Sequence, residues 1–295
     1  MSLCNLCPRK CSVDRADKLG FCGSTNTVKV ARAALHLWEE PVLSGSCGAG
    51  TVFFSGCNLG CVYCQNEKIS HSGFGKEVSA KKLRSIFESL IEKGAHNIEL
   101  VTPTHFIPQI KEALIPKLAV PVIYNSGGYD SVESLRILEG LIDVYMPDMK
   151  YSIPALAERY SNAPDYVSIN LAAIREMHRQ VGDFILDDDG LLKQGVLVRH
   201  LILPNNLINT KGVLRSFNAL LSEGRKMLFS LMSQYTPIEG EKLKTFPELD
   251  RPINQNELRS ALRALSRYPQ IEGFTQELSS AQSDFIPDFD LAGIN

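Results

Sequence analysis

The chain has 295 residues, of which 44% are hydrophobic and 22% charged, the balance of an ordinary soluble globular protein. Its formal net charge of −2 gives no electrostatic case for binding nucleic acid or an anionic membrane surface. No apolar run is long enough for a signal peptide or a membrane span, so we expect a cytoplasmic protein. In that reducing compartment, the eight cysteines are expected to be metal ligands rather than disulfides.

Four of the cysteines form a first cluster near the amino terminus. Their spacing is C-x2-C-x3-C-x10-C, given by Cys4, Cys7, Cys11 and Cys22. Prolines and glycines punctuate the segment, as expected of a loop that folds around a ligand. Four thiolates suit either tetrahedral zinc or an iron–sulfur cluster, and this spacing does not decide between them. Residues 1–46 are therefore predicted to be a cysteine-rich extension with a second metal site.

The end of this extension contains a possible short strand, 28–33, followed by a tryptophan and two carboxylates. Trp38 could line a pocket beside Glu39 and Glu40. A large side chain of this kind more often pins an arm onto the main domain, and we expect Trp38 to do so.

From residue 51 onward, strand-like runs alternate with helical patterns. The first helix is predicted to follow Ser79 as its N-cap, with an apolar stripe from Leu83 to Ile91. The stretch 165–195 is predicted to hold a helix ending near Gln180 and then a hairpin. Other strands are predicted at 51–55, 98–102, 120–124, 142–146, 196–203, 227–232 and 271–275, and other helices near 106–118, 131–140, 153–161, 211–222 and after 254. Such units in series predict a parallel α/β sheet, either a barrel or an open doubly wound sheet, followed by a tail over 277–295.

A second cluster, Cys57, Cys61 and Cys64, directly follows the first strand of this series with C-x3-C-x2-C spacing. Soft thiolates select iron–sulfur clusters, zinc or copper(I). Three ligands on one loop can hold three irons of a [4Fe–4S] cluster and leave the fourth iron open for a chelating cofactor, which Tyr63 could shelter. The alternative is a four-cysteine zinc site completed by Cys47, although Cys47 stands alone and is expected to be a small buried residue.

The C-x3-C-x2-C motif, with an aromatic residue before its last cysteine, is similar to the signature of radical S-adenosylmethionine (SAM) enzymes. Residues 53–66 resemble the branch that contains pyruvate formate-lyase activating enzyme, and most closely its functionally undefined relatives. The resemblance covers most of residues 1–276, including 101–105 and 145–150. It implies a partial (β/α)6 TIM-like barrel over 47–276, with the cluster loop after its first strand.

The resemblance also implies an activity. SAM would chelate the open iron of a [4Fe–4S] cluster, and one electron from the cluster would cleave SAM to a 5′-deoxyadenosyl radical that abstracts hydrogen from a substrate. Such an oxidoreductase would take its electron from a donor such as flavodoxin or ferredoxin, and its substrate could be a glycyl radical enzyme. The alternative from another class is a metal-stabilised binding or electron-transfer iron–sulfur protein without radical chemistry.

Several cofactor contacts follow from the resemblance. Asp148 and Lys150 match a segment in which the family's lysine neutralises the SAM carboxylate, as a carboxylate in a dry site requires. Asn125 follows the third barrel strand, near the expected position of the ribose. Gln234 lies at the end of the sixth strand, where the family has a further cofactor contact.

The fifth barrel strand and the end of the second complete the candidate site. Arg199 and His200 must point to opposite faces of their strand, and the resemblance places Arg199 inside the barrel. The family's Gly-Gly-Glu segment, which holds the SAM amino group, is absent after the second strand. Thr102 stands there and is a candidate acceptor for that group. Nearby His105 is either a substrate-side acid or base, or a residue that starts a helix.

Overall fold

The structure is a computed structural model that describes residues 3–238, 241–278 and 287–294. The strands of these ranges are β1 (Val28–His36), β2 (Ala49–Phe54), β3 (Lys76–Val78), β4 (Ile98–Val101), β5 (Val122–Ser126), β6 (Val144–Pro147), β7 (Ile185–Leu186), β8 (Leu192–Leu201), β9 (Leu228–Met232) and β10 (Glu272–Thr275). The helices are α1 (Pro41–Ser44), α2 (Glu67–Ser70), α3 (Ala80–Glu92), α4 (Ile107–Ala113), α5 (Val132–Ile137), α6 (Pro154–Ser161), α7 (Tyr166–Val181), α8 (Leu207–Ser222), α9 (Glu241–Lys244) and α10 (Gln255–Leu265). Short 3-10 turns cover Thr104–Phe106 and Pro247–Leu249.

The strands form one mostly parallel sheet. Its parallel part runs in the order β10-β9-β8-β6-β5-β4-β2. On the far side of β2, β1 pairs antiparallel with β2, and β3 pairs antiparallel with β1. The two end strands, β10 and β3, do not pair with each other in the described ranges, so the sheet is open. This confirms the predicted α/β class with a mostly parallel sheet and is consistent with a partial barrel.

Helix α3 shows how the sequence builds the outer layer of the fold. Ser79 caps the helix by accepting a hydrogen bond from the backbone N–H of Lys82. The apolar stripe of α3 includes the buried residues Leu83 and Phe87, which join the large core beneath the outward face of the sheet. The predicted helix and its buried face are confirmed.

Some boundaries differ from the prediction for identifiable reasons. Helix α4 ends at Ala113 rather than near 118, because Pro116 cannot donate to a helical carbonyl and disfavours helical backbone before it. Strand β8 begins at Leu192, because its first residues pair with β7 in the hairpin. Helix α10 begins where predicted, with a capping box between Asn254 and Glu257. None of the helices in the described ranges is long and apolar enough to cross a membrane.

Helix α1 fills the amino-terminal end of the inner face of the sheet. Strand β1 runs antiparallel to β2 and therefore delivers α1 to the end of the sheet where the parallel strands begin. Val42 and Leu43 of α1 pack against the inward-facing side chains of Ile123, Val144 and Leu197. Because this end is filled with apolar side chains, the remaining interior space lies toward the carboxyl ends of the strands.

Candidate functional site

The three cysteines of the second cluster lie on the loop between β2 and α2, at the carboxyl edge of the sheet. Ser161 Oγ donates to Cys61 Sγ at 2.9 Å. Cys64 Sγ lies 3.2 Å from Ser70 Oγ, and Cys57 Sγ accepts from the backbone N–H two residues later at 3.4 Å. Such donors stabilise thiolates and orient metal ligands.

The electrostatics of these thiols favour a metal-bound state. Burial, assisted by the neighbouring thiols, raises the pKa of Cys57 to about 12, and burial also raises the pKa of Cys64. A thiolate is therefore costly here unless a cation accompanies it. No three Cys, His, Asp or Glu side chains of the described ranges converge on the position of a single ion. A cubane cluster does not require such convergence, because each thiolate binds a different iron, and the three residues therefore fit it.

The alternative zinc site completed by Cys47 is excluded by the geometry. Cys47 precedes β2 and Cys57 follows it, so six residues of extended strand, at about 3.3 Å each, separate them. Cys47 is also exposed, and the expectation that it is a small buried residue is wrong.

A cavity of about 540 Å³ extends from the cysteine loop into the interior of the sheet. Residues of β2, β5, β8, β9 and β10 all face it, so the sheet curves around this space. The lining includes most of the predicted site residues, namely Cys61, Tyr63, Cys64, Asn125, Asp148, Lys150, Arg199 and Gln234.

A chain of charged side chains crosses the carboxyl ends of β6 and β8. Lys150 Nζ donates to Asp148 Oδ2 at 2.5 Å, and Arg199 Nε lies 3.3 Å from Asp148 Oδ1. The Arg199 guanidinium also donates to Asn125 Oδ1 at 2.7 Å and lies 3.5 Å from Glu39 Oε2. Burial opposes the charge on Asp148, but Lys150 and Arg199 outweigh it and hold the pKa of Asp148 below its usual value.

Lys150 is the cation nearest to the second cysteine cluster in this network. Burial disfavours its charge, but Asp148, Cys61 and Cys64 together raise its pKa. The Lys150 ammonium is therefore charged at neutral pH. It interacts electrostatically with Cys61 and Cys64, the two thiols that line the cavity. A carboxylate bound next to these thiols would meet this ammonium directly.

Asn125 is engaged at both ends of its amide. Its Nδ2 donates to Glu99 Oε1 at 2.6 Å, while its Oδ1 accepts from Arg199. Thr51 Oγ1 donates to the other Glu99 oxygen at 2.9 Å, and burial raises the pKa of that carboxyl. Asn125 thus lies in the cavity wall as expected, but it organises Glu99 and Arg199 rather than presenting an unused amide.

Tyr63 and Gln234 both line the cavity, and contacts of their neighbours bring the two segments together. The Tyr63 hydroxyl is 2.9 Å from the Tyr151 hydroxyl, and its ring packs edge-on against Tyr235. Gln234 is the second residue after β9, and its backbone carbonyl accepts from Gln65 Nε2 at 3.3 Å. Tyr63 thus lies in a group of packed tyrosine rings beside the cysteine loop and lines the cavity.

The two residues that replace the family's acidic segment lie outside the cavity lining. Thr102 has a positive φ of 60°, and its backbone N–H donates to the Asn125 carbonyl at 2.8 Å. His105 is the middle residue of the 3-10 turn Thr104–Phe106, which leads into α4, and its Nε2 lies 2.7 Å from the Ser55 carbonyl. Burial lowers the pKa of His105 to about 4. His105 is therefore a neutral packing residue, and of its two predicted roles only the helix-start role fits.

His200 and Arg199 point to opposite faces of β8 as predicted. Arg199 lines the cavity, whereas the His200 ring lies 2.7 Å from the Met149 carbonyl and 3.0 Å from Thr210 Oγ1 of α8. Burial lowers the pKa of His200 to about 4, so this histidine is a neutral link between sheet and helix.

The four cysteines of the first cluster come together against the cysteine loop. Cys11 Sγ and Cys22 Sγ lie 3.5 and 3.4 Å from the position that a Cβ on Gly20 would occupy. Burial raises the pKa of Cys7 to about 11, and the charges of the other three thiols add to this effect. All four thiols are therefore close enough to interact electrostatically.

Arg9, between these cysteines, is a site residue that the sequence reasoning missed. Its guanidinium donates to the carbonyls of Asn58, Leu59 and Ser161 at 2.7, 2.9 and 3.0 Å, and also to that of residue 162. The same group lies 3.9 Å above the ring of Phe21. Arg9 thus fastens the first cysteine segment to the second cysteine loop, and no local sequence signal indicates this role.

A second omission concerns the residues that precede α1. Trp38 is 68% exposed and lines the cavity with Glu39 and Glu40, so the expectation that Trp38 pins the arm is wrong. Val42 and Leu43 anchor the arm instead. The alternative prediction, that Trp38 lines a pocket beside Glu39 and Glu40, agrees with the structure.

Comparison with known proteins places these features in a family. The family model described as "Radical SAM superfamily" matches residues 51–185. An uncharacterised protein of Methanocaldococcus jannaschii is 30% identical over 276 residues, covering 90% of this chain and 75% of that protein.

Two solved structures resemble the fold. Streptococcus suis SuiB, bound to precursor peptide SuiA, has a TM-score of 0.50 at 11% identity, covering 76% of this chain and 48% of SuiB. Methylornithine synthase has a TM-score of 0.47 at 15% identity, covering 74% of this chain and 68% of the synthase. The chain thus spans about half the length of SuiB. By its sequence matches, with the cysteine loop inside the matched segment, the chain belongs to the radical SAM superfamily.

Proposed function

We propose that this enzyme cleaves SAM reductively at a [4Fe–4S] cluster and uses the resulting radical to abstract hydrogen from a substrate. The observation that carries the proposal is the position of a charged lysine beside two cavity-lining thiols. Lys150 interacts electrostatically with both Cys61 and Cys64, and all three residues line one cavity. An electron carrier without a cofactor pocket has no need of this arrangement.

A [4Fe–4S] cluster and SAM held here would supply the one-electron and radical chemistry of the proposed reaction. The chain's own residues hold and orient these groups. Cys57, Cys61 and Cys64 provide the three thiolates, and Lys150 provides the cation for the methionine carboxylate. Tyr63 covers the loop and limits access of water from the interior.

Further cofactor contacts are proposed from the strand ends around the cavity. Gln234 and Arg199 lie after β9 and on β8, where they can meet the adenosine part of SAM. Thr102 does not line the cavity, so the SAM amino group is proposed to meet a backbone carbonyl near Thr102 rather than its side chain. A backbone carbonyl is a competent acceptor for an ammonium.

The first cysteine cluster is proposed to bind an auxiliary iron–sulfur cluster through Cys4, Cys7, Cys11 and Cys22. The mutual proximity of the thiols and the burial of Cys7 and Cys22 support a metal, because exposed or separated thiols would need none. Zinc bound by the same four thiolates is the alternative that metal analysis separates.

The substrate and partners are also proposed. Likeness to the branch of pyruvate formate-lyase activating enzyme supports a role in forming a glycyl radical on a partner enzyme, with a cytoplasmic flavodoxin or ferredoxin as electron donor. The fold neighbour SuiB is bound to a precursor peptide, and the open side of the sheet of the present chain would admit a polypeptide loop. Function nevertheless depends on the site rather than on the fold.

The test is anaerobic reconstitution with iron and sulfide, followed by dithionite and SAM. We expect 5′-deoxyadenosine, detected by liquid chromatography, in amounts that depend on both reagents. K150Q should lower the rate at least about tenfold, because it removes a charge-assisted contact worth about 1.5–3 kcal/mol. The exposed K93Q is the matched control and should match the wild type. A fully loaded cluster that gives no 5′-deoxyadenosine would instead favour an electron-transfer protein.

A further inference from the structure

The end of the cavity that lies away from the cysteines carries two carboxylates. Glu39 and Glu40 directly precede α1, whose Val42 and Leu43 fill the amino-terminal end of the inner face. Both glutamates line the cavity. Two acidic side chains therefore face the interior from the side opposite the cysteine loop.

The cations of the cavity do not neutralise both carboxylates. Lys150 is paired with Asp148, and Arg199 is shared between Asp148 and Glu39. Within the described ranges, no cation lies within 4 Å of the Glu40 carboxylate, although Glu40 is only 7% exposed. A buried carboxylate without a paired cation is costly, and a cationic ligand would offset that cost.

Ser230 on β9 gives an independent indication of a ligand. Strand alternation places it on the same face as Leu228, which packs beside α1, and Met232, which lines the cavity. Ser230 is 0% exposed and lies near Glu40, yet its Oγ has no hydrogen-bond partner of normal length among the residues described. Buried hydroxyl groups are nearly always bonded. Ser230 is not itself part of the cavity wall, but its hydroxyl interacts with the Glu40 carboxylate, which is, so a donor bound at Glu40 would lie near this oxygen.

We propose that Glu39, Glu40 and Ser230 bind the ammonium group of the substrate. A primary ammonium has three N–H donors, which match two carboxylates and one hydroxyl oxygen from different elements of the fold. The inference rests on the proposed function, because SAM at the cysteine end leaves this end for the substrate. Lys150, the proposed partner of the SAM carboxylate, is separated from Glu39 by Asp148 and Arg199, so the carboxylates would be left to a second molecule.

The test is calorimetric titration of the cluster-loaded protein, with SAM present, using n-butylammonium and n-butanol. These probes have the same shape and differ in the charged group. We expect the wild type to bind butylammonium at least about tenfold more tightly, which corresponds to about 1.4 kcal/mol. E40Q should lose this preference. E77Q, which changes an exposed glutamate on β3, is the matched control and should retain it.

A second pair of probes identifies the source of the ammonium. The peptide Ala-Lys-Ala and its Nε-acetylated form should differ in affinity if the group belongs to a lysine of a polypeptide substrate. Binding of butylammonium without binding of either peptide would assign the ammonium to a small-molecule substrate. Both results support an ammonium site.

Equal affinity of the wild type for butylammonium and butanol would overturn the inference. So would a full preference for butylammonium in both E40Q and S230A, provided that thermal unfolding shows both variants to be folded. Formation of 5′-deoxyadenosine without substrate is measured in parallel. If 5′-deoxyadenosine forms but the protein does not prefer butylammonium, only the ammonium site is wrong. If the protein prefers butylammonium through Glu40 but no 5′-deoxyadenosine forms, only the radical function is wrong.

Discussion

The two cysteine clusters occupy neighbouring loops but obtain their shape in different ways. Cys57, Cys61 and Cys64 directly follow a buried strand, β2, which fixes the start of their loop. The first cluster lies in residues 3–27, which contain no helix or strand. Its shape comes from Arg9 and from contacts of backbone groups with the second loop. One cluster is thus held by the fold, whereas the other must be held by its ligand and its neighbour.

The contact between the clusters depends on a glycine. The Cys22 carbonyl accepts from the backbone N–H of Cys57 at 3.2 Å. Gly56 has a φ of +88°, and a Cβ at this position would lie 2.5 Å from the same carbonyl. Only glycine allows the first segment to approach the second loop so closely. We therefore predict a one-way dependence: the first cysteine cluster requires the second cysteine loop to keep its shape, whereas the second loop keeps its shape without the first cluster.

The largest expected effect comes from the second cluster. C57A, C61A or C64A should each abolish 5′-deoxyadenosine formation and lower the iron content by about four atoms per chain, because a cubane needs all three thiolates. C47A is the matched control, since Cys47 is exposed at the other end of β2. Iron analysis and chromatography check both statements. Activity that survives in all three cysteine variants would remove the second loop from the chemistry.

Replacing Cys4, Cys7 and Cys11 together by alanine should have a smaller effect. We expect loss of the auxiliary metal, measured as iron and zinc per chain, with the SAM-binding cluster retained because β2 still positions its loop. Loss of zinc with unchanged iron would identify the first site as structural zinc. Loss of the SAM-binding cluster as well would contradict the one-way dependence.

Removal of the Arg9 guanidinium tests whether this side chain holds the first cysteine segment against the second cysteine loop. R9A should lower the free energy of unfolding by about 2–3 kcal/mol, because several backbone carbonyls lose a partly buried charged donor at once. R9K should recover only part of this loss, since an ammonium cannot reproduce the planar fork. Denaturant unfolding of the loaded protein measures both, and the exposed R263A should change stability by less than about 0.5 kcal/mol. An R9A protein as stable as R263A would show that the two loops hold their positions separately.

The smallest expected effect concerns the hydrogen bond from Ser161 to Cys61. S161A removes a donor to a thiolate ligand, which should make the reduction potential of the second cluster more negative. We expect a shift within about 60 mV, which is tenfold in a one-electron equilibrium. Redox titration followed by electron paramagnetic resonance measures it, with the exposed S168A as control. A shift to higher potential would mean that Ser161 acts through packing instead.

Features encoded within one turn or one strand could be predicted from the sequence. The stripe of α3 and its Ser79 cap follow from local periodicity, and the opposite directions of Arg199 and His200 follow from strand alternation. The cysteine loop could be placed because its motif and the preceding strand are adjacent in the chain.

Features that depend on distant segments could not be predicted. Arg9 contacts Asn58 and Ser161, which lie 49 and 152 residues away, so nothing near Arg9 indicates its role. The position of Glu39 depends on where an antiparallel strand delivers α1, and that requires knowledge of the pairing between β1 and β2. Thr102 has a positive φ that is uncommon for a residue with a branched side chain, and nothing in the surrounding sequence signals this conformation.

The carboxyl-terminal segment 287–294 has a consequence for the order in which the protein folds during synthesis. Its backbone joins that of β1 through Ala33 N–H to Ala292 O at 2.8 Å and Leu291 N–H to Ala31 O at 3.1 Å. Arg32 and Asp290 form an ion pair at 2.7 Å although 258 residues separate them. Contacts of such sequence separation form late. The part of the outer edge of β1 that lies beyond its pairing with β3 therefore stays uncovered while the ribosome makes the rest of the chain, and a nascent chain stalled before residue 287 would present that part of the edge to other proteins.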